Sequence, residues 1–223
     1  MTFSIVARCP ESGLFGMAVA SSSPAVAARC AHVRAGVGAA ASQNITDPML
    51  GPAVLDRMEA GQGARDAVAE VMERHVHRDY RQVLAVDKNG GIGTHSGGQV
   101  LGIWGEATGE GCLVGGNLLA NEDILPAMIA GFAGAGGHLG ERLIAALLAG
   151  LDAGGEAGPV HSAGLKIADR LPWPLVDLRV DWADAPIDQL AAAWSVYAPQ
   201  MLDYVQRAED PTGSASFGVP GDP

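Results

Sequence analysis

The run Ala35 to Gln43, AGVGAAASQ, reads as a buried strand, and it narrows the folds open to this chain more than any other stretch. Until the serine and glutamine at its end, its side chains are hydrogens, methyls and one isopropyl group. A strand this flat excludes water only if layers press close to its backbone on both faces. Dense helix-on-sheet contact is therefore expected at Gly36 to Ala41. Val114-Gly115-Gly116, within an expected strand from Cys112 to Gly116, makes the same demand. With 31 glycines in 223 residues and only 5% aromatics, the core has to be built by close approach of backbone layers.

The elements around these strands set the class. Thr2 to Ala7 and Leu14 to Ser21 flank a Glu11-Ser12-Gly13 turn, so a hairpin opens the chain. Gly51 to Gly61 is expected as a helix with Pro52 just inside its start, and Ala64 to His75 repeats apolar residues at helical spacing. Gln82 to Asp87 and Gly91 to His95 form a hairpin around Asn89-Gly90. Strands are expected at Gln99 to Glu106 and Cys112 to Gly116, then helices at about Asp123 to Phe132 and Leu139 to Ala149. A loop at residues 154–159 precedes strands at about 161–168 and 175–181 and a helix from Pro186 to Arg207. Strands and helices segregated in this way favour an α+β fold with mainly antiparallel sheets. Combined with strands covered on both faces, they predict a four-layer α-β-β-α sandwich. No repeat or linker divides the chain, so residues 1–208 are expected as one domain and 209–223 as a surface arm.

Charge and cysteines exclude several classes. A net charge of −11 is the wrong sign for binding nucleic acid or an anionic membrane surface. Three cysteines without C-x-x-C spacing suit a reducing compartment, and with no leader or apolar span the protein is expected to be cytoplasmic. Gly36-Val37-Gly38 lacks the third glycine and adjoining helix of a dinucleotide site, and no G-K-[ST] is present. No cofactor is expected. His75 and His77 lack a third ligand nearby, so no metal is expected either, and a solvated helix end accounts for them.

A chain beginning Met-Thr is a good substrate for removal of its first residue. Thr2 would then hold a hydroxyl and an α-amine on one residue, a nucleophile with its own general base. Ser21 and Ser22 end the neighbouring strand, where they either orient that terminus, act as nucleophiles, or simply close the strand before Pro24. Asn44 offers an amide to a carbonyl, or else an Asx-type turn. Gly116 and Asn117 combine a close backbone approach with an amide donor, suited to an oxyanion. Asp177, Arg179 and Asp181 share one strand face. They form either an ion-pair cluster or an arginine gripping a substrate carboxylate, with the acids holding it. His161-Ser162 is a weaker acid–base pair. Thr2, Ser21, Asn44 and Asn117 are expected to converge on one small cleft, with Arg179 approaching from the late strand.

The run TFSIVARCPESGLFGMAVASSSPAVAARCAHVRAGVGAAASQN resembles the opening of domain-of-unknown-function family 1028, and DPMLGPAVLDRMEAG, YRQVLAVD, EGCLVGGNLLA and VDLRVDW continue the match in order. The resemblance implies the Ntn-hydrolase-like superfamily and its sandwich, with Thr2 where that superfamily places a nucleophile. Ser22-Ser23-Pro24 departs from the bulkier pair in many relatives. The expected activity is hydrolysis of a small amide, lactam or ureide-type C–N bond, with a non-catalytic small-molecule-binding protein as the alternative. Trp173, Trp182, Trp194, Tyr197 and Tyr204 crowd the last quarter, either as anchors of a homo-oligomer or as one helix face against the sheet.

Overall fold

In the computed structural model, which describes residues 1–216 and 218, strand alternation sorts the chain into layers. Thr2–Arg8 (β1) points Phe3, Ile5 and Ala7 to one side and Thr2, Ser4 and Val6 to the other. β1 pairs on one edge with Phe15–Ser21 (β2) and on the other with Cys112–Leu119 (β8), both antiparallel. Ser162–Ala168 (β9) and Val176–Val180 (β10) extend the β2 edge, and Ile103–Gly109 (β7) extends the β8 edge. The result is a six-stranded sheet in the order β10-β9-β2-β1-β8-β7.

The second sheet has four strands, Ala31–Arg34 (β3), Gly38–Asn44 (β4), Arg81–Asp87 (β5) and Ile92–Ser96 (β6), in sequence order and again antiparallel. Ile124–Gly134 (α4), Leu139–Asp152 (α5) and Pro186–Tyr197 (α6) cover the outer face of the first sheet around Phe3, Ile5, Leu143 and Leu147. Leu50–Glu59 (α2) and Ala64–Glu73 (α3) cover the second. Val6, Met17, Val19, Ala39, Ala41 and Leu84 fill the space between the sheets. This is the α-β-β-α sandwich predicted.

The alanine-rich strand is packed from both sides. Ala39 and Ala41 face the first sheet, while Ala40 lies under α2 with Val54, Leu55 and Met58. A β-carbon on Gly38 would come 2.2 Å from the Val86 carbonyl oxygen and 2.6 Å from Met58 Cε. The close contact starts at Val37, buried with the α2 residues and one later than expected, because Gly36 is exposed at φ 68° in the turn from β3 to β4. Gly115 meets the sheet above it, where an added β-carbon would lie 2.8 Å from Leu84 Cδ1.

Four further elements differ from expectation. The short helix Ala27–Cys30 (α1) and edge strand β3 carry too few residues for a readable period. The strand expected from Gln99 starts at Ile103, because residues 99–102 are drawn into a loop by Gln99 N–H donating to the Asp79 carbonyl (2.8 Å). The long last helix is broken at Ala198-Pro199-Gln200, a 3₁₀ turn, before Met201–Glu209 (α7). Pro199 lacks the N–H that would continue α6. Of the expected arm, residues 211–213 form a turn and Arg207 donates to the Ala215 carbonyl (3.0 Å), while 217 and 219–223 lie outside the described residues. Among the described residues no helix is long and apolar enough to cross a membrane.

Candidate functional site

Three adjacent strands bring Thr2, Ser21 and Asn117 together. Thr2 is the register partner of Asn117 on β8, and Ser21 lies one step beyond the Phe3–Ala20 pair on β2. All three side chains fall on the inter-sheet face. Thr2 is 5% exposed, and Ser21 and Asn117 are fully buried. The Thr2 hydroxyl lies 3.4 Å from that of Ser21, and both donate to the carbonyl oxygen of Met1, Ser21 at 2.5 Å. Ser21 Oγ also accepts the Ser23 N–H at 3.1 Å, which leaves its hydrogen free to point at a carbonyl.

Beneath them a polar network crosses between the sheets, and its orientation is set by groups that can only accept. Gln82 Nε2 lies 3.2 Å from the carbonyl oxygens of both Gly105 and Gly116, so this end must be the donor. Gln82 Oε1 therefore receives Gln43 Nε2 (2.7 Å) and Asn117 Nδ2 (3.3 Å). Gln43 Oε1 in turn receives the Ser4 hydroxyl at 2.6 Å. Asn117 Oδ1 is left buried and without a partner. What this side chain keeps free is an acceptor, whereas the sequence reading gave it an oxyanion donor's role.

A residue that sequence reasoning missed completes the site. Ala120 N–H donates to the Gly155 carbonyl and Ala157 N–H to that of Leu118, so residues 155–157 run beside the end of β8. Beyond Asn117 the strand bulges, with Leu118 at φ 52°, and Leu119 past the bulge bridges to Glu156, close to the Ser22 that follows β2. Glu156 thus stands at the head of β1. It is 4% exposed, and both its carboxylate oxygens accept the Ser22 N–H, at 3.1 and 3.0 Å. Burial pushes its pKa up to about 7. The Ser22 hydroxyl and amide, the Met1 α-amine and His161 oppose that rise only in part. The one visible signal was a single carboxylate inside an otherwise uncharged Gly-Gly-Glu-Ala-Gly-Pro loop.

His161 N–H donates to the Ser21 carbonyl (2.9 Å) and its ring stacks on Trp182 at 4.3 Å. Its Nδ1 lies 3.1 Å from the Ala183 carbonyl oxygen, which assigns the ring hydrogen to Nδ1 and makes Nε2 an acceptor in the neutral form. Ser162 Oγ donates to the Ser23 carbonyl (2.6 Å) and accepts the Val26 N–H (3.2 Å), bracing the Ser22–Ser23 turn.

Other expected members stand elsewhere. Asn44, at φ 70°, turns outward and binds the Tyr80 carbonyl (2.7 Å) and Leu101 N–H (3.3 Å), so it stitches loops, and its neighbour Gln43 is the amide that reaches the site. Gly116 gives the network its carbonyl, and its missing β-carbon, which would lie 2.7 Å from Leu119 Cδ2, makes room for that side chain instead of for a ligand. Arg179 sits on β10, three strands from β1 and so about 14 Å from it. It pairs with Asp177 (3.8 Å), which also pairs with Lys166 (3.2 Å). The ion-pair reading holds for this cluster, and it is not at the site. Ser22 contributes its backbone N–H to Glu156.

A family model described as "Family of unknown function (DUF1028)" matches residues 2–190 of the chain. The crystal structure of protein SPO2555 from Silicibacter pomeroyi, from the same family, is 30% identical with a TM-score of 0.86 over 92% of this chain and 90% of that one. Anbu (ancestral beta-subunit) from Yersinia bercovieri aligns over 91% of this chain and 97% of its own at 12% identity, with a TM-score of 0.38 that carries no argument. No curated protein matches. From the family match over residues 2–190 and the shared fold, the chain belongs to the DUF1028 family.

Proposed function

We propose that the protein is a cofactor-independent hydrolase of a small amide, lactam or ureide-type C–N bond, of the Ntn-hydrolase-like kind, with Thr2 as nucleophile once Met1 is removed. One observation carries this reading: the Met1 carbonyl oxygen, bound by the hydroxyls of both Thr2 and Ser21, stands in for a substrate carbonyl. Removing Met1 frees that position and turns the Thr2 nitrogen into an amine.

In the proposed reaction Thr2 Oγ1 attacks the carbonyl carbon and its proton passes to the α-amine. The carbonyl oxygen takes the charge and is stabilised by the Ser21 O–H, already held in direction by the Ser23 N–H. The C–N bond then breaks, and the leaving nitrogen takes the proton from the α-ammonium. Water attacks the remaining ester, giving its proton to the amine, and the acid leaves as Thr2 regains its hydroxyl hydrogen. Arg179 has no part in this scheme. The second reading, a non-catalytic binding protein, is favoured by the same contacts if Met1 stays in place, since both hydroxyls are then occupied.

Turnover of a panel of small amides, lactams and ureides by wild type, Thr2→Ala and Ser21→Ala tests the reading. Loss of roughly a hundredfold or more in Thr2→Ala, with a smaller loss in Ser21→Ala, is expected. Full activity in Thr2→Ala would overturn it. We also propose a homo-oligomer, supported by Trp173 and Trp182 at 41% and 61% exposure, and a cytoplasmic location, supported by the free thiols of Cys9, Cys30 and Cys112.

A further inference from the structure

The head of β1 is rich in hydrogen-bond acceptors. Asn117 Oδ1 is fully buried with no partner, and its direction is fixed by Gln82, which takes the amide nitrogen. A buried acceptor left empty costs about 1–3 kcal/mol, so this atom calls for an N–H or O–H from something that binds there. Glu156, at the same strand end, is buried, and its two oxygens share the Ser22 N–H and are also acted on by the Ser22 hydroxyl. A carboxylate has about four acceptor sites, so part of its capacity is left unused by Ser22. The Met1 α-amine is the cationic group acting on it, and the His161 side chain also lies near. The arginine that sequence reasoning had offered for an anionic substrate, Arg179, is three strands away and paired with Asp177.

We infer that the position beside Thr2 and Ser21 takes a small ligand bearing nitrogen-bound hydrogens, an uncharged primary amide or an alkylammonium group, and rejects carboxylates, with Asn117 and Glu156 as the two acceptors. As a statement about substrate this rests on the proposed hydrolase reading, but as a statement about binding it is independent of turnover. Hydroxyls of Thr2 and Ser21 face the ligand's carbonyl, and the two acceptors face its nitrogen. A carboxylate placed there would set like charge against buried Glu156 and leave Asn117 Oδ1 still unpaired.

Three probes of equal length separate the cases: butanamide, butylammonium and butyrate, titrated by ligand-observed NMR against the Met1-less chain at pH 8. Butanamide and butylammonium should bind roughly tenfold or more tightly than butyrate. In Glu156→Gln, which still offers the Ser22 N–H an acceptor, butylammonium should weaken roughly tenfold while butanamide changes little. Thr2→Ala should keep the binding order whether or not it abolishes turnover, so failure of the hydrolase reading and failure of this inference are read separately. Butyrate binding as well as butylammonium would overturn it, as would unchanged butylammonium binding in Glu156→Gln. So would the absence of binding by all three probes at millimolar concentration, the result expected if the freed Thr2 ammonium alone satisfies both acceptors.

Discussion

Replacing Glu156 by glutamine should make the protein more stable at pH 8 and leave it unchanged at pH 4. The carboxyl's ordinary value is 4.5, and burial raises it to about 7 in the folded chain. The unfolded chain therefore loses this proton first, and ionisation opposes folding: the contribution is fully favourable below pH 4.5 and is lost as pH rises through 7. The span from 4.5 to about 7, at ~1.4 kcal/mol for each pH unit, gives ~3 kcal/mol. That value already contains the opposing pull of the Met1 α-amine, so wild type and variant are compared with Met1 retained. Glutamine keeps the shape and an acceptor for the Ser22 N–H but never ionises. Urea unfolding of wild type and Glu156→Gln at pH 4, 6 and 8 reads the difference directly. Near-equal stability is expected at the lowest pH, and an advantage of ~3 kcal/mol for the variant at the highest. In a chain of this length that equals a rise in Tm of roughly 6–12 °C. A variant as stable as wild type at pH 8, or less stable, would refute the claim that this carboxylate is held in a buried site against its preference for water.

Gln82→Leu should destabilise the fold by roughly 3 kcal/mol or more in the same unfolding assay, because it strands Gln43 Nε2, Asn117 Nδ2 and the Gly105 and Gly116 carbonyls together. A loss below about 1 kcal/mol would show that water replaces the network readily. Gly93→Ala should cost roughly 3 kcal/mol or prevent folding, since the new methyl would lie 2.2 Å from the Ala64 carbonyl oxygen at the start of α3, which is backbone and cannot rotate away. Sedimentation at micromolar concentration is expected to show a dimer or larger assembly, and a clean monomer would remove the exposed tryptophans as interface anchors.

The layers were legible in the sequence because they depend on period and residue size. The two-sided apolar pattern of AGVGAAAS and of Val114-Gly115-Gly116 could be satisfied only between covering layers, and Gly38 to Ser42 and residues 114–116 lie there. The start of the alanine-rich strand was misplaced because Ala35-Gly36-Val37 is built of side chains as small as those of Gly38 to Ala41, and a turn differs from a strand there only in φ. At the site, Thr2, Ser21 and Asn117 were readable because neighbouring strands had to bring them together once the hairpin was recognised. Gln43 was overlooked in favour of Asn44 because which of two adjacent amides faces inward depends on pleat phase, and a shift of one residue inverts it. Glu156 could not be ranked from its loop. Its importance comes from the β8 edge that residues 155–157 join, a long-range contact with no local signature. Arg179 was readable as an ion-pair partner of Asp177, but its distance from Thr2 is set by strand order alone.

The central claim is that Thr2 becomes the first residue, and the intact mass of the protein expressed with its own terminus tests it most directly. The account predicts a chain lighter by one methionine residue than the full sequence, with Thr2 read first on terminal sequencing. A population that keeps Met1 in full would leave the Thr2 nitrogen an amide and both hydroxyls occupied, and would contradict the mechanism.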